Sequence, residues 1–533
     1  MKRIPLFIVF LVITQNLYSQ VYPELDWFRI YNGPINYYDF LHSMKMDNSG
    51  IYLAGGSYMS DSTADAFLIK YSLEGDSLFS IVYAHQPDVR DEFNSLVVDD
   101  NSDLYLTGVT TINDYNRKMI FQKYSSSGQI TWLKEFNFKA RGLILILDNN
   151  NLPVLAYDNW EGPNYAHLVI NSFSSSGDSL WSVIFRDDTS AYGIACIIRD
   201  NENFFYTGIL QLQVINGQNI YHSHIACIKD GNLIWYRPIG GSHIRKIVLD
   251  SDNNLVAFTK YDSRIYKINS ATGETIWEKN INNSIYHISN LYDMGVDKLN
   301  NVIVTGNNSD MNTNIQIKKL SSSGEELWLK EYDSQGNLQD IPDALALDKD
   351  DNIYITAKSV DLVSKSYVLK ISTEGELKWE YYLDEVTFEQ SFLHQIIVND
   401  SSLFIGGTLY DFLTKSNIFI MKLDQKLSTG INGTNLISSS YKLNQNYPNP
   451  FNPFTIIRFS IPEESFVTLK VYNTLGEEIT TLIKENIIAG NYEVEFNGTA
   501  LPSGIYIYRL QAGDPSTSSG QSFVESKKMV LIK

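Results

Sequence analysis

Five side chains that could bind a ligand or transfer a proton recur at one position of an internal repeat. That position lies five residues before an acidic turn, and in five of the eight repeats it holds an ionisable side chain: His42, Arg245, Tyr292, Asp343 and His394. The other three repeats hold Asn94, Leu143 and Ile194 there. If the repeats close into a ring, the first and last become neighbours, and the five side chains converge near its centre. They are the predicted ligand-binding residues, although structural hydrogen bonding between repeats explains the pattern equally well.

Aromatic side chains in one connection between strands form a second candidate site. Tyr157, Trp160 and Tyr165 lie within 157–165, where they could stack on sugar rings, and packing of this loop on itself is the alternative. Corresponding connections differ in length and sequence from repeat to repeat: 57–65, 110–117 and 211–221. Because binding sites are commonly built from loops on a rigid scaffold, we predict that these connections form the binding face.

The acidic turns that follow the candidate position resemble calcium loops only superficially. Turns such as 99–103 and 348–352 lack the glycine and the closing bidentate glutamate of an EF-hand, and Asp and Asn favour tight turns through local hydrogen bonds. His222 and His224 would share one side of a strand, but neither a carboxylate nor a third histidine lies nearby in the sequence to complete a zinc site. The sequence therefore predicts no cofactor and no metal site, with weak Ca²⁺ binding at the acidic turns as the alternative.

The sequence contains no signature of a known catalytic site and no sign of nucleic-acid binding. A nucleophile elbow, a phosphate-binding loop, a metalloprotease helix and a paired-carboxylate signature are all missing, so we assign no catalytic residue. With 42 Lys and Arg against 61 Asp and Glu, the formal net charge is −19, which excludes the cationic excess that phosphate neutralisation requires. Cys196 and Cys227 are expected on the first and third strands of one repeat, too far apart for a disulfide, and are predicted to be buried free thiols.

The elements that position the candidates are short strands in a repeat of about 50 residues. Each repeat carries an apolar residue followed by an acidic or turn residue: Met46-Asp47, Val98-Asp99, Leu147-Asp148, Ile198-Arg199, Leu249-Asp250, Val296-Asp297, Leu347-Asp348 and Val398-Asn399. Four strands per period are typical of a β-propeller, in which each blade buries its faces against its neighbours. The eighth repeat lacks an outer strand, whereas a spare strand around Trp27 precedes the first repeat, and pairing the two would close the ring. We predict an all-β fold with an eight-bladed β-propeller over 20–427, with seven blades as the alternative.

The two ends of the chain differ from the repeats. Residues 1–19 have a charged start, an apolar run over 4–13 that is too short to span a bilayer, and a small residue at Ser19, which predicts a signal peptide cleaved there. No other segment is long and apolar enough to cross a membrane. Residues 428–441 are rich in small polar residues, which indicates a linker. Residues 442–533 alternate short strands with Gly and Pro turns, which predicts a small immunoglobulin-like β-sandwich.

Five motifs near the C-terminus carry a family resemblance. In order they are NYPNPFNP at 446–453, VYNTLG at 471–476, AGNY at 489–492, LPSGIY at 501–506, and the terminal strand with Lys527, Lys528, Met529, Val530 and Leu531. This region resembles the type A C-terminal sorting domain of the bacterial type IX secretion system. The resemblance implies export through the periplasm, recognition by the type IX translocon, and removal of the domain by its sortase, followed by release or by attachment to surface lipopolysaccharide. The polar insert at 514–521 departs from the family pattern and is interpreted as a lengthened hairpin loop before the last strand.

The repeats resemble the tryptophan-docked repeats of quinoprotein and bacterial β-propeller families, most closely at 268–277 (INSATGETIW). Quinoprotein dehydrogenases of that group carry two adjacent cysteines against their cofactor, and this sequence has no adjacent pair, so their activity is not implied here. We therefore expect a secreted or cell-surface propeller that binds an extracellular glycan or protein without catalysis. The alternative is a surface polysaccharide hydrolase or lyase with its site at the mouth of the propeller channel.

Overall fold

The computed structural model of this 533-residue chain describes residues 23–425 and 441–531 apart from short gaps. The gaps are 34–36, 61–62, 86–88, 114–115, 138, 161–165, 188, 241–242, 261, 282–289, 308–313, 335–338, 361–363, 384–389, 412–414, 444, 447–448, 450, 462–464, 488–489, 500 and 513–522. The predicted signal peptide (1–19), the predicted linker (428–441) apart from Tyr441, and Tyr165 lie outside the described residues. The chain divides into two compact units, Met1–Thr429 and Gly430–Lys533.

Every regular element in the described residues is a β-strand, which confirms the all-β prediction. The larger unit begins with β1 (Glu24–Tyr31), and the strands that follow form consecutive antiparallel groups, which we name sheets A to H. One parallel residue pair joins sheet A to sheet B (Ala64 with Arg90), and another joins sheet C to sheet D (Ala166 with Ala191). Sheet A contains β2 (Asp39–Asp47), β3 (Gly50–Tyr58), β4 (Ala64–Tyr71) and β5 (Ser77–Tyr83), and sheet B contains β6 (Arg90–Val98), β7 (Leu104–Asn113), β8 (Asn116–Tyr124) and β9 (Ile130–Phe136). Sheet C contains β10 (Lys139–Leu147), β11 (Pro153–Trp160), β12 (Ala166–Phe173) and β13 (Ser179–Phe185), and sheet D contains β14 (Ser190–Arg199), β15 (Phe205–Ile215), β16 (Gln218–Lys229) and β17 (Asn232–Ile239). Across all of the described residues, no helix is long and apolar enough to cross a membrane.

Sheets E to H continue the same order along the chain, except that the last sheet takes its fourth strand from the beginning. Sheet E contains β18 (Ile244–Leu249), β19 (Leu255–Thr259), β20 (Arg264–Ile268) and β21 (Thr275–Asn280), and sheet F contains β22 (Asn290–Val296), β23 (Val302–Asn307), β24 (Ile315–Leu320) and β25 (Glu326–Tyr332). Sheet G contains β26 (Gln339–Leu347), β27 (Ile353–Val360), β28 (Ser364–Ile371) and β29 (Leu377–Tyr382), and sheet H contains β30 (Gln390–Val398), β31 (Ser402–Asp411) and β32 (Lys415–Asp424) with β1.

Burial along the strands follows from packing between neighbouring sheets. The second strands β3 and β19 are buried along their whole length because other sheets cover both faces, whereas an outer strand such as β9 remains largely exposed. One cluster between sheets H and A contains the buried side chains of Met44, Phe67, Phe404 and Ile418. At roughly 1.5–3 kcal/mol for each fully buried side chain of this size, such clusters favour close packing of the sheets.

Strand β1 completes sheet H and also links it to sheet A. It pairs antiparallel with β32. The indole Nε1 of Trp27 donates a hydrogen bond to the carbonyl oxygen of Leu73, in the turn after β4, at 3.1 Å. Equivalent hydrogen bonds join consecutive sheets at four other tryptophans, which donate to the carbonyl groups of Ser175, Ser270, Ser322 and Thr373: Trp132, Trp235, Trp277 and Trp328. We call these five tryptophans the outer belt.

The first strands of the sheets, which we call the inner strands, are also joined by a repeated hydrogen bond. A side chain four residues before the acidic turn accepts a backbone N–H from the inner strand of the next sheet. The pairs are Ser43 with Leu96, Ser95 with Leu145, Asp293 with Leu345, and Gln395 with Met44. The last pair joins sheet H to sheet A, so these sheets are neighbours on the inside as well as at the outer belt. The larger unit is therefore a β-propeller.

The smaller unit consists of two antiparallel sheets around a single hydrophobic cluster. Its strands are β33 (Lys442–Leu443), β34 (Phe454–Ile461), β35 (Ser465–Tyr472), β36 (Glu478–Ile487), β37 (Gly490–Asn497), β38 (Gly504–Ala512) and β39 (Phe523–Leu531). One sheet has the order β33-β34-β37 and the other has the order β36-β35-β38-β39. Strand β35 alternates buried and accessible residues, as expected for a strand with one face on a core.

Candidate functional site

The candidate residues of the inner strands are the extra residues of β-bulges. In sheet H, Leu393 pairs with Gly407 and Gln395 pairs with Gly406, which leaves His394 without a partner in the ladder. The same shift in the inner strands of sheets A, B, E, F and G leaves out His42, Asn94, Arg245, Tyr292 and Asp343. In sheet C the irregularity is longer and leaves out both Gly142 and Leu143. A bulge re-aims a side chain and is common next to binding sites. We call the bulged residues of the inner strands the bulge ring.

Sheet D requires a correction of the sequence alignment by one residue. The acidic turn begins at Asp200 rather than at Arg199, because the Asp200 carboxylate accepts the N–H groups of Glu202 and Phe204 at 2.9 Å. Asp148 accepts the corresponding pair of N–H groups in sheet C at 2.8 Å. The bulge in sheet D accordingly falls at Ala195 and not at Ile194.

The structure brings some of the five predicted residues together and separates others. The His394 Nδ1 atom lies 3.5 Å from Asp343 Oδ2, across sheets G and H, and both side chains are exposed. His42 lies instead 3.8 Å from Glu92 of sheet B. Arg245 is exposed and forms no hydrogen bond or ion pair with the rest of the described residues. Tyr292 is half-buried, and burial raises the pKa of its hydroxyl group.

Glu92 is a charged group that the repeat alignment did not single out. Its buried carboxylate accepts hydrogen bonds from Tyr58 and from Arg90, the latter at 2.9 Å. Burial would raise the pKa of Glu92, but the bonds from His42, Tyr58 and Arg90 outweigh it and lower the pKa to about 2. A carboxylate held in this way is ionised at any physiological pH, so it positions its neighbours and does not exchange protons. Its signal in the sequence is an acidic residue two positions before a bulge.

A cavity of about 420 Å³ lies between inner strands of sheets A, E, F, G and H. Because strands from distant sheets line it, this cavity is the central channel of the propeller. His394 lines it and so connects the bulge ring to the channel. Within it, Lys246 Nζ lies 2.6 Å from Asp293 Oδ1, and Asp293 Oδ2 accepts the N–H of Leu345 at 2.8 Å. This ion pair lies one residue beyond the candidate position, which is why the alignment missed it.

The prediction of an aromatic loop at 157–165 is wrong for residues 157–160, which are the part of it that the structure describes. Residues 153–160 form strand β11, and Tyr157 is only 7% exposed within a hydrophobic cluster of sheets B and C. Burial raises the pKa of Tyr157 to about 12, and its ring is not available to an extracellular sugar. Trp160 is half-buried at the end of β11 and pairs with Lys139 and Ala166.

The connection at 211–221 is also a strand pair and not a loop. Strands β15 and β16 continue to a tight turn at Asn216 and Gly217, whose φ angles are 52° and 78°. Two positive φ angles are the requirement of a type I′ hairpin turn. Val214 and Ile215 are exposed at the tip of this hairpin, at 42% and 47%.

In the acidic turns, the first carboxylate accepts hydrogen bonds from backbone N–H groups of the same turn. Asp348 accepts the N–H groups of Asp350 and Asn352 at 2.9 Å, and Asp297 also lies 2.9 Å from Lys319 Nζ. These contacts occupy the oxygens that a cation would need, which favours the turn interpretation over Ca²⁺. Among the described residues, no three His, Cys, Asp or Glu side chains are grouped to hold a metal ion.

Among the described residues, the histidine pair belongs to no metal-binding cluster and the two cysteines form no disulfide. The rings of His222 and His224 lie 6.5 Å apart, and His224 stacks on Tyr236 at 4.6 Å. Burial, and then the charge of His222, lowers the pKa of His224 to about 4. Cys196 and Cys227 lie on β14 and β16 and are free, as predicted, although Cys196 is only half-buried.

The predicted sorting residues form the last strand of the smaller unit. In β39, Met529 and Leu531 are fully buried in the hydrophobic cluster, whereas Lys528 is exposed and Lys527 and Val530 are partly accessible. Asn449, from the NYPNPFNP motif, accepts the N–H of Val530 at 2.8 Å and donates to the carbonyl oxygen of Lys528 at 3.3 Å. The first and last family motifs are therefore joined by hydrogen bonds.

Comparison with known families identifies the C-terminal region. Residues 445–524 match the secretion system C-terminal sorting domain family. The chain thus carries a type IX sorting domain, which indicates a bacterial protein exported to the cell surface or secreted. No curated protein matches the sequence.

Two solved structures are similar to this chain at low sequence identity. A quinohemoprotein alcohol dehydrogenase from Pseudomonas putida HK5 is 9% identical, with a TM-score of 0.49 over 80% of this chain and 79% of its own. The Dos1 propeller is 11% identical, with a TM-score of 0.47 over 78% of this chain and 98% of its own.

Proposed function

We propose that residues 20–427 form an eight-bladed β-propeller that binds an extracellular glycan at the mouth of its channel without catalysis. Residues 442–533 would form an immunoglobulin-like sandwich that directs export. The pairing of β1 with β32 supports the blade count, since it gives sheet H four strands like the other sheets. The observation that carries the binding function is the bulge ring, in which consecutive sheets carry different polar residues at the bulge and one of them, His394, lines the channel.

The chemistry of the bulge ring favours a glycan over a protein surface. Arg245, Asp343, His42 and His394 offer accessible hydrogen-bonding groups and little apolar area. The buried centres of protein interfaces are usually depleted of charge and rich in aromatic residues. Sugar hydroxyl groups instead require both donors and acceptors, and these four side chains supply them.

One arrangement supports a polysaccharide hydrolase or lyase as the second candidate. Asp343 contacts His394, whose Nε2 atom lies 3.2 Å from the hydroxyl of Thr408, so an acid, a histidine and a hydroxyl follow one another as in a nucleophilic triad. Thr408 is only 1% exposed, however, which keeps its hydroxyl away from a polymeric substrate. This burial favours binding over catalysis.

A glycan array with the purified full chain tests the binding function. Asp343→Ala and His394→Ala should each lower retention on the bound glycan by about tenfold or more, because hydrogen bonds to charged groups contribute about 1.5–3 kcal/mol. Asp178→Ala is the matched control, since Asp178 is exposed in the turn before β13 and its Oδ1 atom lies 2.9 Å from Lys134 Nζ of the outer strand β9. Equal retention of all variants would contradict the proposal.

Turnover assays on the same proteins separate the two candidates. We expect no product from a panel of polysaccharides. Product formation that either Asp343→Ala or His394→Ala abolishes would establish the hydrolase or lyase instead.

Export can be tested by removing the smaller unit. Deleting 442–533 should leave the propeller in the periplasm, because the type IX translocon and its sortase would no longer recognise it. Fractionation should then show the full chain, and not the truncated one, at the surface or in the medium, either released or on lipopolysaccharide. Normal surface delivery of the truncated chain would refute the role of this region.

A further inference from the structure

One hairpin of the propeller projects beyond the strands on both sides of it. Its strands β15 and β16 have 11 and 12 residues and are the two longest strands among the described residues. The inner strand β14 pairs with β15 only as far as Gln213, and the outer strand β17 pairs with β16 only from Ser223 onward. Within the described part of the chain, residues 218–222 therefore have no partner strand on the edge of β16 that faces away from β15.

The projecting part of this hairpin exposes apolar side chains. Val214 and Tyr221 are 42% and 40% exposed, and both lie on the same face as Leu212, which is the cross-strand partner of Tyr221. Ile215, at the tip, is 47% exposed. At the base of the projection, the ring of Tyr221 lies 4.8 Å from the ring of His243. The hairpin thus offers an apolar face next to an open strand edge.

This open edge lacks the features that usually prevent pairing with another chain. Natural sheets protect their edges with lysine, proline or a bulge. Residues 210–224 contain neither Lys nor Pro, and the pairing of β15 with β16 is regular to its end. An exposed apolar edge of this kind is a template for a further strand.

The charge distribution indicates which chain supplies that strand. Residues 203–228 contain no Asp, Glu, Lys or Arg and are the longest uncharged stretch of a chain in which 19% of the residues are charged and the net charge is −19. Two copies of so acidic a chain repel each other over most of their surface, but not at this hairpin. A strongly charged partner would find no opposite charge here, whereas the same edge of a second copy matches it.

The same edge on two copies is also geometrically self-complementary. When two 218–222 segments pair antiparallel about Ile220, each Ile220 lies opposite its copy and each Tyr221 lies opposite Asn219 of the second copy. Such a contact has two-fold symmetry and closes on itself. At about 3.4 Å per residue the shared segment is about 17 Å long, and the two propellers begin at its opposite ends. The propellers therefore do not compete for the same space.

We propose that two copies of this chain associate through the open edges of β16, antiparallel about Ile220, so that their hairpins form one four-stranded sheet. The contact is small, and interfaces that bury less than about 1,200 Å² are usually weak, so we expect a Kd of about 10–100 µM. This association goes beyond the proposed glycan function and does not depend on it.

Sedimentation equilibrium of the purified full chain, at concentrations around this Kd, tests the proposal. Ile220→Lys and Ile220→Glu each place like charges opposite each other and should weaken the association at least about tenfold. An equimolar mixture of the two variants places opposite charges there and should associate at least as strongly as wild type. Ile184→Lys is the matched control and should associate like wild type, since Ile184 is 52% exposed on the outer strand β13.

Ionic strength provides a second measurement. The association should strengthen as salt is added, because salt screens the repulsion between the acidic chains while the interface itself carries no charge. Circular dichroism establishes that each variant is folded. If the Ile220 variants do not fold, Asn219→Lys and Asn219→Glu replace them, since Asn219 is exposed and lies diagonal to its own copy in the same pairing.

Four results would overturn the proposal: a monomer at every concentration, association that weakens with salt, a mixture of the two charge variants that stays monomeric, or a loss of association in Ile184→Lys equal to that in Ile220→Lys.

Discussion

The outer belt and the bulge ring both recur from sheet to sheet, but they differ in what is repeated. In the outer belt the side chain, its hydrogen bond and the glycine beneath it recur together, as at Trp27 with Gly75 and at Trp277 with Gly324. In the bulge ring only the backbone shift recurs, and the side chains differ from sheet to sheet. A repeated geometry with one side chain indicates a structural contact. A repeated geometry with varied side chains indicates a place where the scaffold permits differences, which is where binding sites commonly lie.

Removal of the closing tryptophan should have the largest effect. Trp27→Ala would leave a cavity between sheets H and A and remove the hydrogen bond to Leu73, so we expect a loss of about 3–5 kcal/mol in the free energy of unfolding. Urea unfolding followed by tryptophan fluorescence and circular dichroism measures it. Trp277→Ala, which removes an equivalent contact between sheets E and F, is the comparison. A loss below about 1 kcal/mol would show that β1 does not hold the ring together.

Glu92 should behave as a structural residue although it neighbours the bulge ring. Its pKa is lowered from 4.5 to about 2, so its contribution is present above pH about 4.5 and is lost as the pH falls through about 2. Glu92→Gln should therefore cost about 3 kcal/mol at pH 7, and the difference from wild type should shrink toward pH 2. Chemical unfolding at several pH values measures this difference. A constant difference across that range would show that the charge of Glu92 is not what stabilises the fold.

Asp39, at the start of the inner strand of sheet A, should respond to pH in the opposite direction. Burial raises its pKa from 3.8 to about 6, although its carboxylate accepts the N–H of Gly33 at 2.9 Å. The stability from this group is present below pH 3.8 and is lost as the pH rises through about 6. Asp39→Asn should match wild type near pH 4 and exceed it by up to about 3 kcal/mol at pH 8 in the same unfolding experiment. A variant that is less stable than wild type at pH 8 would contradict the raised pKa.

Substitution of Gly324, which lies against Trp277 of the outer belt, should have a smaller effect on stability, and Gly217 provides the control. Gly324 has a φ of 83°, and a Cβ atom there would lie 3.0 Å from the Trp277 ring. Gly217 has a similar φ of 78° with no atom within 4 Å of such a Cβ. Both alanine variants incur the cost of a left-handed backbone, roughly 1–2 kcal/mol, and Gly324→Ala should lose about 1 kcal/mol more because it displaces the ring. Equal losses in thermal unfolding would mean that the belt tolerates the extra atom.

The sequence predicted the repeated features better than the exceptions. Because every inner strand reaches its bulge at nearly the same distance from the acidic turn, counting back from the turn found His42, Asp343 and His394. It failed by one residue in sheet D, where an acidic residue follows the position that was aligned. Length variation does not distinguish a loop from a longer strand pair, so the prediction of loops at 157–160 and 211–221 is wrong. At 211–221, alternating residues around Asn216 and Gly217 carried the hairpin signal.

Contacts between sheets were not predictable from the same pattern. Whether His42 meets His394 or Glu92 depends on the relative height and twist of neighbouring sheets, which a repeat alignment does not contain. The pairing of Lys246 with Asp293 joins residues 47 positions apart in sheets E and F for the same reason. Only the three-dimensional arrangement determines which charges are balanced.

The smallest effect on stability is expected at the bulge ring itself. The side chains of Asp343 and His394 are 44% and 38% exposed, and solvent screens a pair of this kind, which contributes at most about 1 kcal/mol. Asp343→Ala and His394→Ala should therefore unfold within about 0.5 kcal/mol of wild type, while both lose glycan retention. The double variant should add no further change in stability. A loss above about 1 kcal/mol in either single variant would assign the ring to the scaffold, because its varied side chains would then be parts of the packing and not a surface that the packing leaves free.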